Sequence, residues 1–474
     1  MSSKVVNAGI GYTIGNYLIK GLVFLTLPIF TRIMDPSDFG LYNIFIASEG
    51  ILYVLIGLAI HTTYKNAFYK FSANNQDGVN YDDYVASTIV MITISAVIWA
   101  LVFLLFSTQI SSFLLLDRIS LFLLVAYSTS MAIMACYNAH LGIQYKYKEF
   151  IKVSGLNAIC NVSLSIILIL TVFDNNRYIG RILGTTLPAV CIVSVISYKL
   201  YKKSTGRIPS GALKWGVKYS LPIVPNGIGQ VILSQFDRMM INKMISTYTA
   251  GIYSFAYNIF GLVNVTALSL DNAWSPWLYE KMNKAEYDKI QNKSAVYVML
   301  IFLFSAAIML ICPELIMILG TTDYYESIYS AIPLIAGGFF LFLSSLPISV
   351  EYYYEKTRMI AVATFLAAIV KIILNLFFLK EYGYLSAGFT TLATYILYFI
   401  FHYYTAYRIH GSSVFDAKRI LRCSGLTILI MFFSYYTVNY WLLRWIMASL
   451  FMYFIIIFEE QKIGIIKKVI KKWK

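Results

Sequence analysis

The chain has 474 residues, 59% of them apolar and 13% charged, and its 38 Lys and Arg outnumber 23 Asp and Glu for a net charge of +15. A soluble domain carries about twice that share of charge, so a soluble enzyme is excluded. The basic excess has a better explanation in membrane sidedness than in nucleic acid.

Fourteen apolar stretches, each near the roughly 20 helical residues needed to cross about 30 Å of hydrocarbon, run from Asn7 to Glu460. The patterning predicts an all-α integral membrane protein with spans over 8–31, 40–61, 85–107, 118–140, 153–173, 178–199, 215–236, 250–272, 293–313, 329–350, 359–379, 384–407, 421–440 and 442–460. The first span holds Asn16 and Lys20 and no small-residue cleavage site follows it, so no removable signal is read there. Only Asp174 to Arg177 separate the fifth and sixth spans, enough for a tight helical hairpin. In the seventh, Pro222 and Pro225 each remove a backbone donor and invite a kink, with Asn226 and Gln230 following on one face. The tail beyond Lys462 sets Ile463, Ile466, Ile470 and Trp473 against lysines, which suits an amphipathic surface helix or a basic stop-transfer tail.

With the N-terminus inside and cations near span ends counted with the adjoining loop, 28 of the Lys and Arg fall on the inside and 8 on the outside, with Lys20 and Lys371 mid-span. The asymmetry predicts that both termini are cytoplasmic. The five cysteines sit in apolar spans without metal-ligand spacing, so packing is their expected role and no cofactor is expected.

A shift of 211 positions aligns two regions without a gap. Gly40-Leu41-Tyr42 falls on Gly251-Ile252-Tyr253, Lys70 on Lys281, and Asn7–Arg32 on Lys218–Lys243. Both copies begin inside, which predicts a parallel repeat: six-helix lobes over 1–203 and 214–410, with two further helices and the basic tail over 411–474.

Three segments carry a family resemblance. They are Pro28 to Tyr42 around Arg32, Asp35 and Asp38; Asp237-Arg238 followed by Ala250 to Tyr257; and Asn375 to Leu379 with Tyr382 to Gly388. In order and spacing the chain resembles the Wzx-type O-antigen flippase branch of the multidrug/oligosaccharidyl-lipid/polysaccharide exporter superfamily. The resemblance implies two lobes around a central cavity and translocation of undecaprenyl-diphosphate-linked sugar repeat units between leaflets of the bacterial inner membrane. It implies as partners a lipid-linked oligosaccharide, membrane lipid, a proton or sodium ion for coupling and a glycan polymerase, with no nucleic acid.

Ionisable groups at membrane depth are expensive, so each asks for a reason. Lys20 lies one turn from Asn16, and Lys371 one turn from Asn375. Each ammonium suits a translocated diphosphate, or else pairs within its own lobe. Glu49 lies about 6 Å from Lys20 in depth, counted from their shared turn. It is either that lysine's partner or a carboxylate that binds a coupling ion. Tyr257, Asn264 and Asp271 form a stripe that suits sugar hydroxyls, with capping of a helix end as the other reading for Asp271. Arg238 is expected to pair locally with Asp237. The substrate-contact set is therefore Lys20, Asn16, Glu49, Asn226, Gln230, Tyr257, Asn264, Asp271 and Lys371.

Two rivals stand beside the flippase. A drug or cation antiporter of the same superfamily favours deep acids over deep cations. A glycan polymerase or ligase needs a large outer loop with catalytic side chains, and the longest one here, Glu314 to Ile328, holds no Lys, Arg or His. No histidine has a partner at catalytic or metal spacing in the sequence. No enzymatic activity is expected.

Overall fold

The computed structural model describes residues 11, 12, 15, 21, 22, 24–73 and 79–462, and all regular structure among them is helical. The basic tail, Asn16 and Lys20 lie outside the described residues.

Helix α1, Phe24–Ile33, is followed by α2, Pro36–Gly57. Asp35 caps α2 by accepting from the Asp38 amide at 2.8 Å, with Pro36 at the first helical position, where no amide proton is needed. Next come α3 (Tyr64–Ala73), α4 (Tyr81–Leu105), α5 (Ser107–Leu114), α6 (Arg118–Ile143), α7 (Tyr147–Thr171) and α8 (Arg177–Lys203). Pro222 and Pro225 divide the seventh span into α9 (Ser210–Ser220), a 3-10 turn over Leu221–Ile223, and α10 (Val224–Met244). The kink predicted for this helix is present, because neither proline can continue the hydrogen-bond ladder.

Helix α11, Thr247–Asn283, has 37 residues and runs well past the predicted end of the eighth span. The remainder is α12 (Tyr287–Leu310), α13 (Cys312–Leu319), α14 (Ile328–Tyr353), α15 (Thr357–Tyr382), α16 (Ser386–His410), α17 (Ala417–Tyr436) and α18 (Trp441–Lys462). Each predicted span from the second to the fourteenth overlaps helix in this series, and α1 overlaps the end of the first and runs two residues past it. Among the described residues, nine helices are long and apolar enough by themselves to cross a bilayer. The chain is a multi-pass membrane protein.

The repeat extends well beyond the residues that revealed it. Helices α6 and α14 start at Arg118 and Ile328, and α7 and α15 at Tyr147 and Thr357, both 210 positions apart. The turns between them match as well. Tyr145 and Glu355 adopt φ of 57° and 58°, and the amides of Lys146 and Lys356 reach back to the carbonyls of Leu141 and Glu351. That is a left-handed helix cap, built here without glycine.

Packing divides the chain into two compact units. The first holds the described residues up to Phe255 together with Leu319–Tyr324 and Thr357–Ala387; the second holds Ala256–Ile318, Tyr325–Lys356 and the chain from Gly388 onward. These units do not follow the predicted lobe boundaries, because α10, predicted for the second lobe, packs against both α2 and α15 within the first unit.

The first unit is centred on α2 and α6, with Phe45 stacked on Tyr127 at 5.8 Å, and Thr63–Tyr84 and Tyr64–Thr88 hydroxyl pairs at 2.7 Å. In the second unit α14 is the core helix, with 83% of its apolar window buried. Helix α7 is its opposite at 17%, its Leu156, Ile159, Ile167 and Leu170 exposed as befits a lipid-facing span.

Candidate functional site: buried charges and a closed end

Lys371 projects from α15 into the first unit and is 1% exposed. Its ammonium lies 2.7 Å from Asp237 Oδ2 on α10 and also donates to the Leu233 carbonyl. Asn375, one turn along α15, donates to Asp237 Oδ1 at 2.7 Å, and the Tyr253 hydroxyl donates to Oδ2 at 2.7 Å. Three side chains from two helices thus converge on one carboxylate, which is what a buried ion pair needs to offset its desolvation. The expected face shared by Lys371 and Asn375 is real, and it meets protein in this structure. The Asp237 carboxylate is held by Lys371, a partner from another helix, while Arg238 donates to Gln235 Oε1. Asp237 and Asn375 each sit seven residues from the same-end terminus of their helices, about 10 Å deep.

Arg181 on α8 is, with Lys371 and Arg238, a buried cation of this unit, and sequence reasoning passed over it. Its guanidinium donates from one nitrogen to Asn161 Oδ1 and Ser165 Oγ, both at 2.9 Å. Its Cζ lies 3.6 Å from the Phe30 ring centre and 4.8 Å from that of Tyr42. Helix α8 reaches α7 closely at Gly184, where a Cβ would stand 2.5 Å from the Ser165 Cα. Among the described residues no carboxylate ion-pairs with Arg181; amide, hydroxyl and ring faces stabilise it instead.

Glu49 is half-buried on α2, within electrostatic reach of Tyr53 and Tyr127, with no ion pair to any described residue. Asn226 is half-buried with its Oδ1 unpartnered, and Gln230 one turn on is exposed. Tyr257, Asn264 and Asp271 are half-buried along α11 in the second unit, and Tyr257 rests on Phe260 at 4.8 Å. Asp271 does not cap a helix end, because α11 continues to Asn283. Its neighbour on α14 is Ser345, and one turn further the Ser275 and Ser349 hydroxyls meet at 3.1 Å.

The second unit also gives His402 a partner that sequence spacing did not reveal. Its Nδ1 lies 2.7 Å from Glu351 Oε1, with both side chains fully buried. Among the described residues no cluster of His, Cys, Asp and Glu has the arrangement of a metal site.

The repeat-related glycines meet each other. A Cβ on Gly40 would stand 2.3 Å from the Thr247 carbonyl oxygen, and one on Gly251 would stand 1.8 Å from that of Pro36. A shift of 211 exchanges the two contacts, since it carries Pro36 to Thr247 and Gly40 to Gly251. The first turns of α2 and α11 therefore touch backbone to backbone about a local two-fold, which only glycine permits. A similar pair of bonds flanks them. Thr31 donates to the carbonyl of Leu319, the last residue of α13, at 2.7 Å, and Asn242, 211 positions on, donates to that of Leu114, the last residue of α5, at 3.1 Å.

The family model for polysaccharide biosynthesis proteins matches residues 5–282. The chain belongs to that family. A curated relative, an uncharacterized membrane protein of Haemophilus influenzae, is 24% identical over 372 residues, covering 76% of this chain and 86% of that protein. Among solved structures the fold is similar to that of the lipid II flippase MurJ in an inward closed conformation. The TM-score is 0.68 at 15% identity, with 95% of this chain and 99% of the other covered. It is also similar to an inward-facing multidrug resistance MATE family transporter, with a TM-score of 0.66 at 14% identity over 86% of this chain and 99% of the other. This member of the polysaccharide biosynthesis family thus has the all-helical fold of the multidrug/oligosaccharidyl-lipid/polysaccharide exporter superfamily.

Proposed function

We propose that the chain is a flippase, not an enzyme, that carries undecaprenyl-diphosphate-linked oligosaccharide repeat units from the inner to the outer leaflet of the bacterial inner membrane. Both termini are cytoplasmic in this reading, and the lobes over 1–203 and 214–410 alternate in access, with 411–474 appended. The family match over residues 5–282 carries the choice of a glycan lipid as cargo. The geometry supplies a gate: the Gly40–Gly251 contact and its flanking bonds close the outer end and part to release the headgroup. Lys20 and Asn16 face the diphosphate, Glu49 takes up the coupling proton or sodium ion, and Asn226, Gln230, Tyr257, Asn264 and Asp271 meet sugar hydroxyls. Lys371 joins them once the gate has opened and its ion pair is exposed.

A deletion strain should accumulate lipid-linked sugar on the cytoplasmic side, and Lys20→Ala should fail to clear it while inserting normally. Unchanged lipid-linked sugar in the deletion strain would overturn the cargo. Oxidative cross-linking of Thr31→Cys to Leu319→Cys, in a background without the native cysteines, should stop export until reductant is added. Export by the fully cross-linked protein would overturn the gate. The likeness to the MATE transporter favours a drug or cation exporter as the second reading, for which deletion raises drug sensitivity and leaves glycan lipid unchanged.

A further inference from the structure

The ends of α6 and α8 and the start of α7 enclose a cavity of about 430 Å³ in the first unit. Lys199, Lys202 and Lys203 line it from the last turns of α8, spaced so that they share one face. Lys146 lines it from the turn before α7. All four are exposed, and among the described residues none pairs with a carboxylate. The one acid in the wall, Glu149, accepts the Tyr137 hydroxyl at 2.6 Å. The nearby Asp83 is spent on the Thr205 amide and hydroxyl, and Asp82 lies within electrostatic reach of His140. His140 is itself engaged, stacked on Tyr81 with its ring nitrogens near Tyr81 Oη and Gln144 Nε2.

Lysines in a final turn complement the helix dipole, which explains their presence in α8. It does not explain a fourth lysine arriving from a different segment, nor the apolar part of the wall. Leu141, Ile196 and Leu200 stand beside the ammonium groups. A cavity that is cationic and apolar at once matches an amphiphile bearing a phosphate.

We propose that this cavity is a resident site for the head group of an anionic phospholipid, held by Lys146, Lys199, Lys202 and Lys203 with its glycerol and first methylenes against Leu141, Ile196 and Leu200. A basic pocket between membrane helices at the positively charged end of a bundle is suited to such a head group. The site is independent of the translocated cargo, so its failure would leave the flippase reading untouched.

The test uses the full-length protein in nanodiscs of phosphatidylcholine with or without phosphatidylglycerol, followed by native mass spectrometry. The wild type should retain phosphatidylglycerol selectively. The triple variant Lys199→Gln, Lys202→Gln, Lys203→Gln should retain it on the order of 100-fold less, and Lys146→Gln roughly 5-fold less. The corresponding Lys→Arg triple variant should retain it as the wild type does. Melting temperatures in pure phosphatidylcholine should be equal for all, because the four side chains are exposed; phosphatidylglycerol should raise that of the wild type and not that of the Gln triple variant. Equal retention by wild type and Gln triple variant would overturn the proposal. So would inorganic phosphate or pyrophosphate stabilising the wild type as strongly as the lipid does, which would make the cavity a soluble-anion site.

Discussion

Lys371 and Arg181 are both buried in the first unit, and they are stabilised in opposite ways. Lys371 has a carboxylate at 2.7 Å that is itself held by Asn375 and Tyr253. Arg181 lies between the Phe30 and Tyr42 rings with an amide and a hydroxyl as hydrogen-bond partners. An ammonium concentrates its charge on one strongly hydrated atom and needs an anion to leave water. A guanidinium spreads its charge over a plane and accepts ring faces. The charge of Lys371 is therefore neutralised by its own ion pair, whereas among the described residues no carboxylate pairs with Arg181.

Removing the carboxylate tests that contrast most severely. Asp237→Ala should cost about 3–5 kcal/mol, because it strands a buried ammonium. The double variant Asp237→Ala, Lys371→Met should recover most of that loss in chemical unfolding of the detergent-purified protein. A double variant no more stable than the single one would show that Asp237 matters for reasons other than its charge. Arg181→Lys should cost less, about 1–2 kcal/mol in the same assay, since it loses the planar stack while keeping the charge. No loss would mean that the rings contribute nothing beyond packing.

The smallest effect belongs to an exposed counterpart. Lys281 and Lys289 stand 2.8 and 3.0 Å from Glu286 in the turn before α12 and hold its carboxyl down to about 2. A depressed pKa contributes stability above the unfolded value of about 4.5 that is lost as pH falls toward 2. Amide exchange in the 281–289 turn should therefore quicken across that window at low salt. High salt and Glu286→Gln should both remove the effect.

The spans were legible because about 20 apolar residues in a row have few other uses. The repeat was legible because Gly-x-Tyr and a basic loop recur at one shift. The Asp237–Lys371 pairing was not, because the predicted seventh span stopped at 236 while the helix runs on to Met244, and because sequence leaves open which helices adjoin and how each is turned about its axis. Arg181 escaped notice because, four residues into α8, it reads as an interfacial cation until Asn161 and Ser165 are seen opposite it. The extra length of α11 was hidden by Pro276, a residue that usually marks a helix boundary and here lies inside the helix.

The glycine contact at the head of α2 and α11 has a consequence for how that end comes apart. Because Gly40 presses on Thr247 just as Gly251 presses on Pro36, any separation of the two helices loosens both contacts together. Like a clasp with twin catches on a single hinge line, it has no half-fastened position, so the two helix starts part in one concerted event.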